Sequence, residues 1–143
     1  MIRPAVLGDL TTIQACADAA YGIYVDMIGR KPAPMVADFA ALIARDVVWV
    51  CDGGFIVMFP DGDVLHVENI AVHPEAQGNG VGRALMGFAE THARDLGLHR
   101  IELYTNAKMT GPRRLYPRLG FMQTDHRFED GFDRVYFAKD LTK

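Results

Sequence analysis

The chain has 143 residues, half of them apolar, and a formal net charge of −3. That length suits one ordinary domain with a single core, the charge leaves no footprint for a nucleic-acid partner, and no apolar run is long enough for a membrane span. Two cysteines, Cys16 and Cys51, lie far apart without metal-ligand spacing and read as reduced core thiols; with no signal-peptide pattern at the start, the expectation is a cytoplasmic protein with no metal.

Ile2 to Ala5 reads as a short first strand, and Asp9 as the N-cap of a helix whose apolar stripe is Ile13, Cys16, Ala17, Ala20, Tyr24 and Met27. Gly29 to Pro34 breaks that helix, and Val36, Phe39 and Ile43 predict a second, shorter one. Val47 to Cys51, Phe55 to Phe59 and Val64 to Val72 predict three strands joined by turns at Asp52-Gly53-Gly54 and Pro60-Asp61-Gly62, an antiparallel meander. A helix from about Asn79 to Leu96 carries Val81, Leu85, Phe88, His92 and Leu96 on one face and stops at Gly97. Arg100 to Thr105 is then a strand parallel to the third meander strand. Thr110 caps a further helix, short or kinked because of Pro117 and ending at Gly120, and Phe121 to Glu129 and Phe132 to Asp140 form a hairpin about Asp130-Gly131.

The chemistry concentrates where the third meander strand runs into the long helix. Gly78, Gly80 and Gly82 alternate there, with Arg83 next. Glycines let backbone N–H groups face a ligand closely, and a helix start leaves about four N–H groups unpaired at the positive end of its dipole. Together they suit a phosphate or pyrophosphate. No Gly-Lys-Ser/Thr accompanies them, so this is not a P-loop, and the spacing G-x-G-x-G is not the dinucleotide fingerprint.

The stretch resembles motif A of the GNAT superfamily of acetyl-CoA-dependent N-acetyltransferases, Q/R-x-x-G-x-G/A. Gln77, Gly80 and Gly82 supply it, preceded by the common preamble Asn69 to Glu75 (NIAVHPE), and Leu115 to Phe121 matches the family's LY-x-x-LGF segment. The element order β-αα-βββ-α-β-α-ββ is also similar to the GNAT order over almost the whole chain. The resemblance implies an α/β fold of α+β type: a mixed, mostly antiparallel central sheet flanked by helices, in one domain covering residues 1–143.

The resemblance further implies that acetyl-CoA is the co-substrate and that its pantetheine pairs with the backbone of Ile70, Ala71 and Val72. Gln77 and the amides of Gly78, Asn79, Gly80, Val81, Gly82 and Arg83 would then hold the pyrophosphate. Attack by an amine requires two proton movements, because a primary amine with pKa ~10.4 is almost wholly protonated at pH 7 and the leaving thiolate takes up a proton. Tyr116 is the candidate acid. Glu68 is the candidate base, sharing a face by alternation with His66, Ile70 and Val72; Glu102, His66, His73 and a water-mediated route stay open. The family's pantetheine-contacting asparagine is replaced by Met109, with Pro112 where an alanine is common, and Asn106 is the candidate substitute.

The expected acceptor is a primary amine of a small molecule or peptide, walled by Tyr21, Tyr24, Met27, Ile28 and Arg30 on one side and by Asp125 and Arg127 on the other. A homodimer would form through Phe128, Phe132, Tyr136 and Phe137. The reading from a different class is a non-catalytic acyl-CoA-binding or sensor module with the same fold.

Overall fold

The computed structural model describes residues 1–141. Its seven strands form one sheet in the order β1-β2-β3-β4-β5-β7-β6. These are β1 (Arg3–Pro4), β2 (Val48–Cys51), β3 (Gly54–Asp61), β4 (Val64–Val72), β5 (Arg100–Asn106), β6 (Met122–Glu129) and β7 (Phe132–Asp140). Every neighbouring pair is antiparallel except β4 with β5. That parallel pair follows from the helical crossover between them.

Two helical layers cover the sheet. On one face lie α1 (Leu10–Tyr21), α2 (Val25–Ile28) and α3 (Phe39–Ala44), where Ile13, Ala17, Phe39 and Ile43 pack on Val48, Val50, Phe55, Val57 and Ala71. On the other lie α4 (Val81–Asp95) and α5 (Thr110–Arg118), where Leu85, Met86, Ala89 and Tyr116 pack on Ile56, Met58, Leu65, Val67, Ile101 and Leu103. Fully burying Leu85 and Met86 contributes about 1.5–3 kcal/mol each.

The stripes predicted from spacing hold in their centres and fail at their ends. Met27, Val36 and Leu96 are exposed, because each sits where its helix has begun to turn away from the sheet or has already stopped. Asp9 does not cap α1: its carboxylate accepts the Val6 N–H at 2.8 Å and pairs with Arg3, closing the preceding 3-10 turn. Nor does Thr110 cap α5, which begins at Thr110 itself after an uncapped Met109. Cys16 is buried, whereas Cys51 is only half-buried at the sheet edge of the core. The hairpin tip is as expected: Asp130 (φ 54°) and Gly131 (φ 80°) both take the left-handed conformation that a two-residue turn demands.

One irregularity positions everything that follows. On β3 the faces alternate without interruption, Phe55 and Val57 to one side, Ile56 and Met58 to the other. On β4 they do not: Leu65 and Val67 face α4, and so do Ile70 and Val72, while Ala71 faces α1. The register slips between Val57 and Met58, so Val57 opposes Asn69 and Met58 opposes Val67, leaving Glu68 as the extra residue of a β-bulge. Glu68 therefore shares a face with His66 but not with Ile70 or Val72, a correction to simple alternation. The bulge also bends the strand. Pairing with β5 is confined to Leu65/Ile101 and His66/Glu102, and beyond it the two strands part.

Candidate active site

The parting of β4 and β5 leaves a free backbone edge, and its hydrogen-bonding groups can be assigned. The His73 N–H donates to the Gly53 carbonyl at 2.8 Å, making that a bonded pair of the β3/β4 ladder. Bonded and non-bonded pairs alternate in antiparallel ladders. Phe55/Ala71 and Val57/Asn69 are therefore bonded pairs, while Gly54/Val72 and Ile56/Ile70 are not. Ile70 and Val72 turn both N–H and C=O away from β3, into the gap. Ala71 spends its backbone groups on β3, so of the three residues expected to pair with pantetheine it is the one that cannot do so through its main chain.

Side chains meet the two gap-facing carbonyls. The buried Tyr21 hydroxyl, at the end of α1, donates to the Ile70 carbonyl, and the Gln77 amide donates to that of Val72 at 3.3 Å. Gln77 thus has a definite local role at the mouth of the gap.

Next to that edge is a cavity of about 420 Å³, lined by Ile70, Ala71, Val72, Gln77, Gly78, Gly80, Val81, Gly82, Arg83, Leu115 and Tyr116, with Tyr21 and Tyr24 from the α1 side. The start of α4 opens onto it. Gly80 occupies the N-cap position with φ 81° and no side-chain cap, and no acidic residue lies in the first turn. The N–H groups of Val81, Gly82 and Arg83 consequently have no helical acceptor. Gly78 and Gly80 both have positive φ, and a Cβ built on either meets nothing within 4 Å, so the space over them is free for an anion. This cradle fits a pyrophosphate. Asn79 is not part of it: its N–H donates to the Ala76 carbonyl at 3.3 Å, and its side chain lines a different groove beside Cys16 and Cys51.

A second cavity, of about 450 Å³, lies on the α3 side of the parted strands. Glu68, Asn69, Tyr104 and Thr105 form its floor, Pro32, Ala33, Pro34 and Ala37 one wall, and Phe132 and Arg134 the other. The two cavities have three lining residues in common: Tyr21, Ile70 and Tyr116.

Tyr116 is 5% exposed, wedged between the rings of Phe121 and Phe137 at 5.9 and 5.5 Å. Burial alone pushes its phenol well above the ordinary value, so it stays protonated throughout the working pH range. Glu68 goes the other way. His66 Nε2 sits 2.7 Å from its carboxylate, and that bond holds Glu68 below the usual range against the opposing effect of burial, with Arg134 adding a smaller push in the same direction. His66 is itself fixed between the rings of Phe59 and Tyr104, at 5.3 and 6.0 Å. Glu102 points elsewhere, bound to Arg100 at 2.8 Å, and His73 accepts the Glu75 N–H at 3.1 Å in the turn after β4.

Asn106 lines the second cavity and not the one beside the glycines. Its side-chain oxygen accepts the Lys108 N–H at 2.9 Å, closing the turn that leads into α5, and Met109 behind it is buried. The candidate substitute for the missing asparagine therefore serves the loop. Three polar groups of the site were missed in the sequence or given only a wall's role. These are Tyr21 on Ile70, the largely buried Asn69, and the Thr105 hydroxyl, which is buried without a hydrogen-bond partner. Of the two predicted acceptor walls, Tyr21 lines the second cavity, and Arg30 borders it by stacking on Phe132 at 3.8 Å and donating to the Asp130 carbonyl at 2.9 Å; Asp125 and Arg127 instead pair with each other on exposed β6.

A parted β4/β5 pair, a glycine cradle at the start of α4 and a buried tyrosine between two cavities define an acyltransferase-type fold. The sequence model of the Acetyltransferase (GNAT) family matches residues 30–121, and the chain belongs to that family. Among its relatives are mycothiol acetyltransferases. That of an Arthrobacter species is 36% identical over 107 residues, covering 62% of this chain and 32% of that protein. That of Pseudarthrobacter chlorophenolicus is 48% identical over 56 residues, covering 39% of this chain and 17% of that protein. The chain thus spans about a third or less of these relatives' length.

Solved structures share the fold end to end. Nourseothricin acetyltransferase superposes with a TM-score of 0.73 at 24% identity, covering 99% of this chain and 98% of that one. An N-acetyltransferase from Thermoplasma acidophilum in complex with coenzyme A gives 0.72 at 16% identity, covering 98% of each chain. Among the described residues no helix is long and apolar enough to cross a membrane, and no group of three or more His, Cys, Asp or Glu is placed to hold a metal ion.

Proposed function

We propose that the protein transfers the acetyl group of acetyl-CoA to a primary amine of a small molecule or peptide, by direct attack with both substrates bound. The observation that carries this reading is the meeting of two cavities at Tyr21, Ile70 and Tyr116: a thioester in one lies within reach of an amine in the other. Holding both reactants in one geometry removes most of the entropic cost of a bimolecular encounter.

In this reading pantetheine adds to the free edge of β4 through Ile70 and Val72, the pyrophosphate lies over Gly78, Gly80, Val81, Gly82 and Arg83, and Arg83 adds a charge-assisted contact. The Ile70 N–H, aimed into the gap, polarises the thioester carbonyl. Glu68, directly or through water, takes the proton from the incoming ammonium. The amine nitrogen then bonds to the carbonyl carbon, the carbon–sulfur bond breaks, the Tyr116 phenol gives its proton to the departing sulfur, and the second proton shed by the nitrogen passes through water to restore the phenol. Glu68 held ionised and Tyr116 held neutral are the two states these roles require.

Thiol release from acetyl-CoA across a panel of amino acids, polyamines, aminoglycosides, short peptides and, given the named relatives, mycothiol-type amines tests the proposal. Release with one acceptor class supports it. Acetyl-CoA binding in calorimetry with no release favours the second reading, an acyl-CoA-binding module, on whose side stand the departures at Met109 and Pro112. We further infer one domain, a cytoplasmic location and a homodimer; for the dimer, Phe128 is 77% exposed on β6 while Phe137 is spent on the core.

A further inference from the structure

We propose that Tyr21 is a positioning residue for the transfer: by holding the Ile70 carbonyl it fixes the peptide edge whose N–H meets the thioester. This rests on the acetyl-CoA reading above. The Ile70 carbonyl lies beyond the last β4/β5 pair and faces away from β3, so no strand can satisfy it. A buried carbonyl without a donor is costly, and the Tyr21 hydroxyl is the donor that reaches it.

Tyr21 is well suited to fix rather than to react. It is 6% exposed, and its ring packs in the core of the α1 face. The hydroxyl comes from a helix that packs on the sheet independently of α4 and α5, so it ties the free edge of β4 to the opposite layer. In a strand that parts from its neighbour, this side-chain bond sits at the point where both cavities meet. Without it the free segment of β4 after the bulge is no longer tied to the α1 layer, and a small shift of that segment in the gap misaligns the Ile70 N–H with the thioester carbonyl. Gln77 on the Val72 carbonyl does the same for the next gap-facing residue, but farther from the junction of the cavities, since it lines only the one beside the glycines.

The test needs no knowledge of the acceptor. Acetyl-CoA carrying carbon-13 at the thioester carbonyl is bound to the protein, and its carbonyl stretch is read by isotope-edited infrared spectroscopy. In the wild type the band should lie at lower wavenumber than in free acetyl-CoA, reporting a hydrogen bond from the Ile70 N–H. In Tyr21→Phe, which keeps the ring, the band should move back toward the free value, while affinity for CoA, which has no acetyl carbonyl, stays within about threefold by calorimetry. Once an acceptor is known, kcat should fall about 10- to 100-fold, the scale expected of small misplacement at a reacting centre. A band unchanged by Tyr21→Phe overturns the inference. So does a wild-type band at the free position despite tight binding, a result that needs no variant. A wild type that binds no acetyl-CoA at all instead overturns the proposed function, and this inference with it.

Discussion

The Glu68 carboxylate lies 2.7 Å from His66 Nε2, two residues earlier on the same face of β4, while the bulge at Glu68 turns Ile70 and Val72 to the other face. Both the neutral Nε2–H tautomer and the imidazolium donate in this arrangement. The carboxylate is consequently ionised at lower pH than a free one. A depressed carboxylate contributes stability that is complete above its unfolded pKa and fades as pH falls through the folded one. The pair is thus intact at neutral pH and fails only in acid.

His66→Leu removes the donor, and Glu68 returns toward the ordinary carboxylate range. The acid limb of the pH–turnover profile should move to higher pH, with neutral-pH turnover changed less than in Glu68→Gln, which removes the base and should cost about 10²–10⁴-fold. An acid limb that stays in place in His66→Leu would assign it to another group.

Tyr116→Phe keeps the ring that packs on Phe121 and Phe137 and deletes the proton donor. Turnover should fall by about 10²-fold, with acetyl-CoA affinity nearly unchanged. Because burial raises the phenol, no basic limb from Tyr116 should appear below about pH 10 in the wild type. Full activity of the variant across pH 6 to 9 would make Tyr116 a packing residue.

Gly80→Glu should abolish acetyl-CoA binding, since the side chain fills the free space over the cradle and brings a negative charge to the helix start. Gly80→Ala should lose about 1–2 kcal/mol of stability from the left-handed backbone alone. Calorimetry and thermal unfolding separate the two effects, and unchanged acetyl-CoA affinity in Gly80→Glu would remove the pyrophosphate assignment.

Asn106→Ala should change acetyl-CoA affinity by no more than about threefold, because the residue faces the other cavity and its oxygen is spent on the Lys108 N–H. A loss of about 1 kcal/mol in stability is expected from that turn bond. A large loss of acetyl-CoA affinity would return Asn106 to the cofactor side.

Gly54→Ala tests how α4 is held. A Cβ there would stand 2.8 Å from the Ala71 carbonyl oxygen and 2.9 Å from Val81 Cγ1, so the first turn of α4 must move off the sheet. Overpacking of this kind costs about 1–3 kcal/mol. Acetyl-CoA binding should weaken together with the unfolding midpoint, since the same turn carries the cradle.

Local pattern along the chain sets the element order, the hairpin tip and the glycine-rich start of α4. Each depends on local chemistry: apolar period, the positive φ that Gly78, Gly80 and Gly131 allow, and helix-start N–H groups that need no partner from elsewhere. What long-range pairing sets begins with one extra residue. A bulge is a mismatch between two strands, β3 running 57 to 58 while β4 runs 69 to 67, and neither strand shows it alone. That slip turned Ile70 and Val72 off the face of Glu68, turned Ala71's backbone onto β3, and left the Ile70 carbonyl to Tyr21, 49 residues earlier in the chain. Side-chain period is a property of a segment, but register, and so which backbone groups are left free to bind a ligand, is a property of the pair.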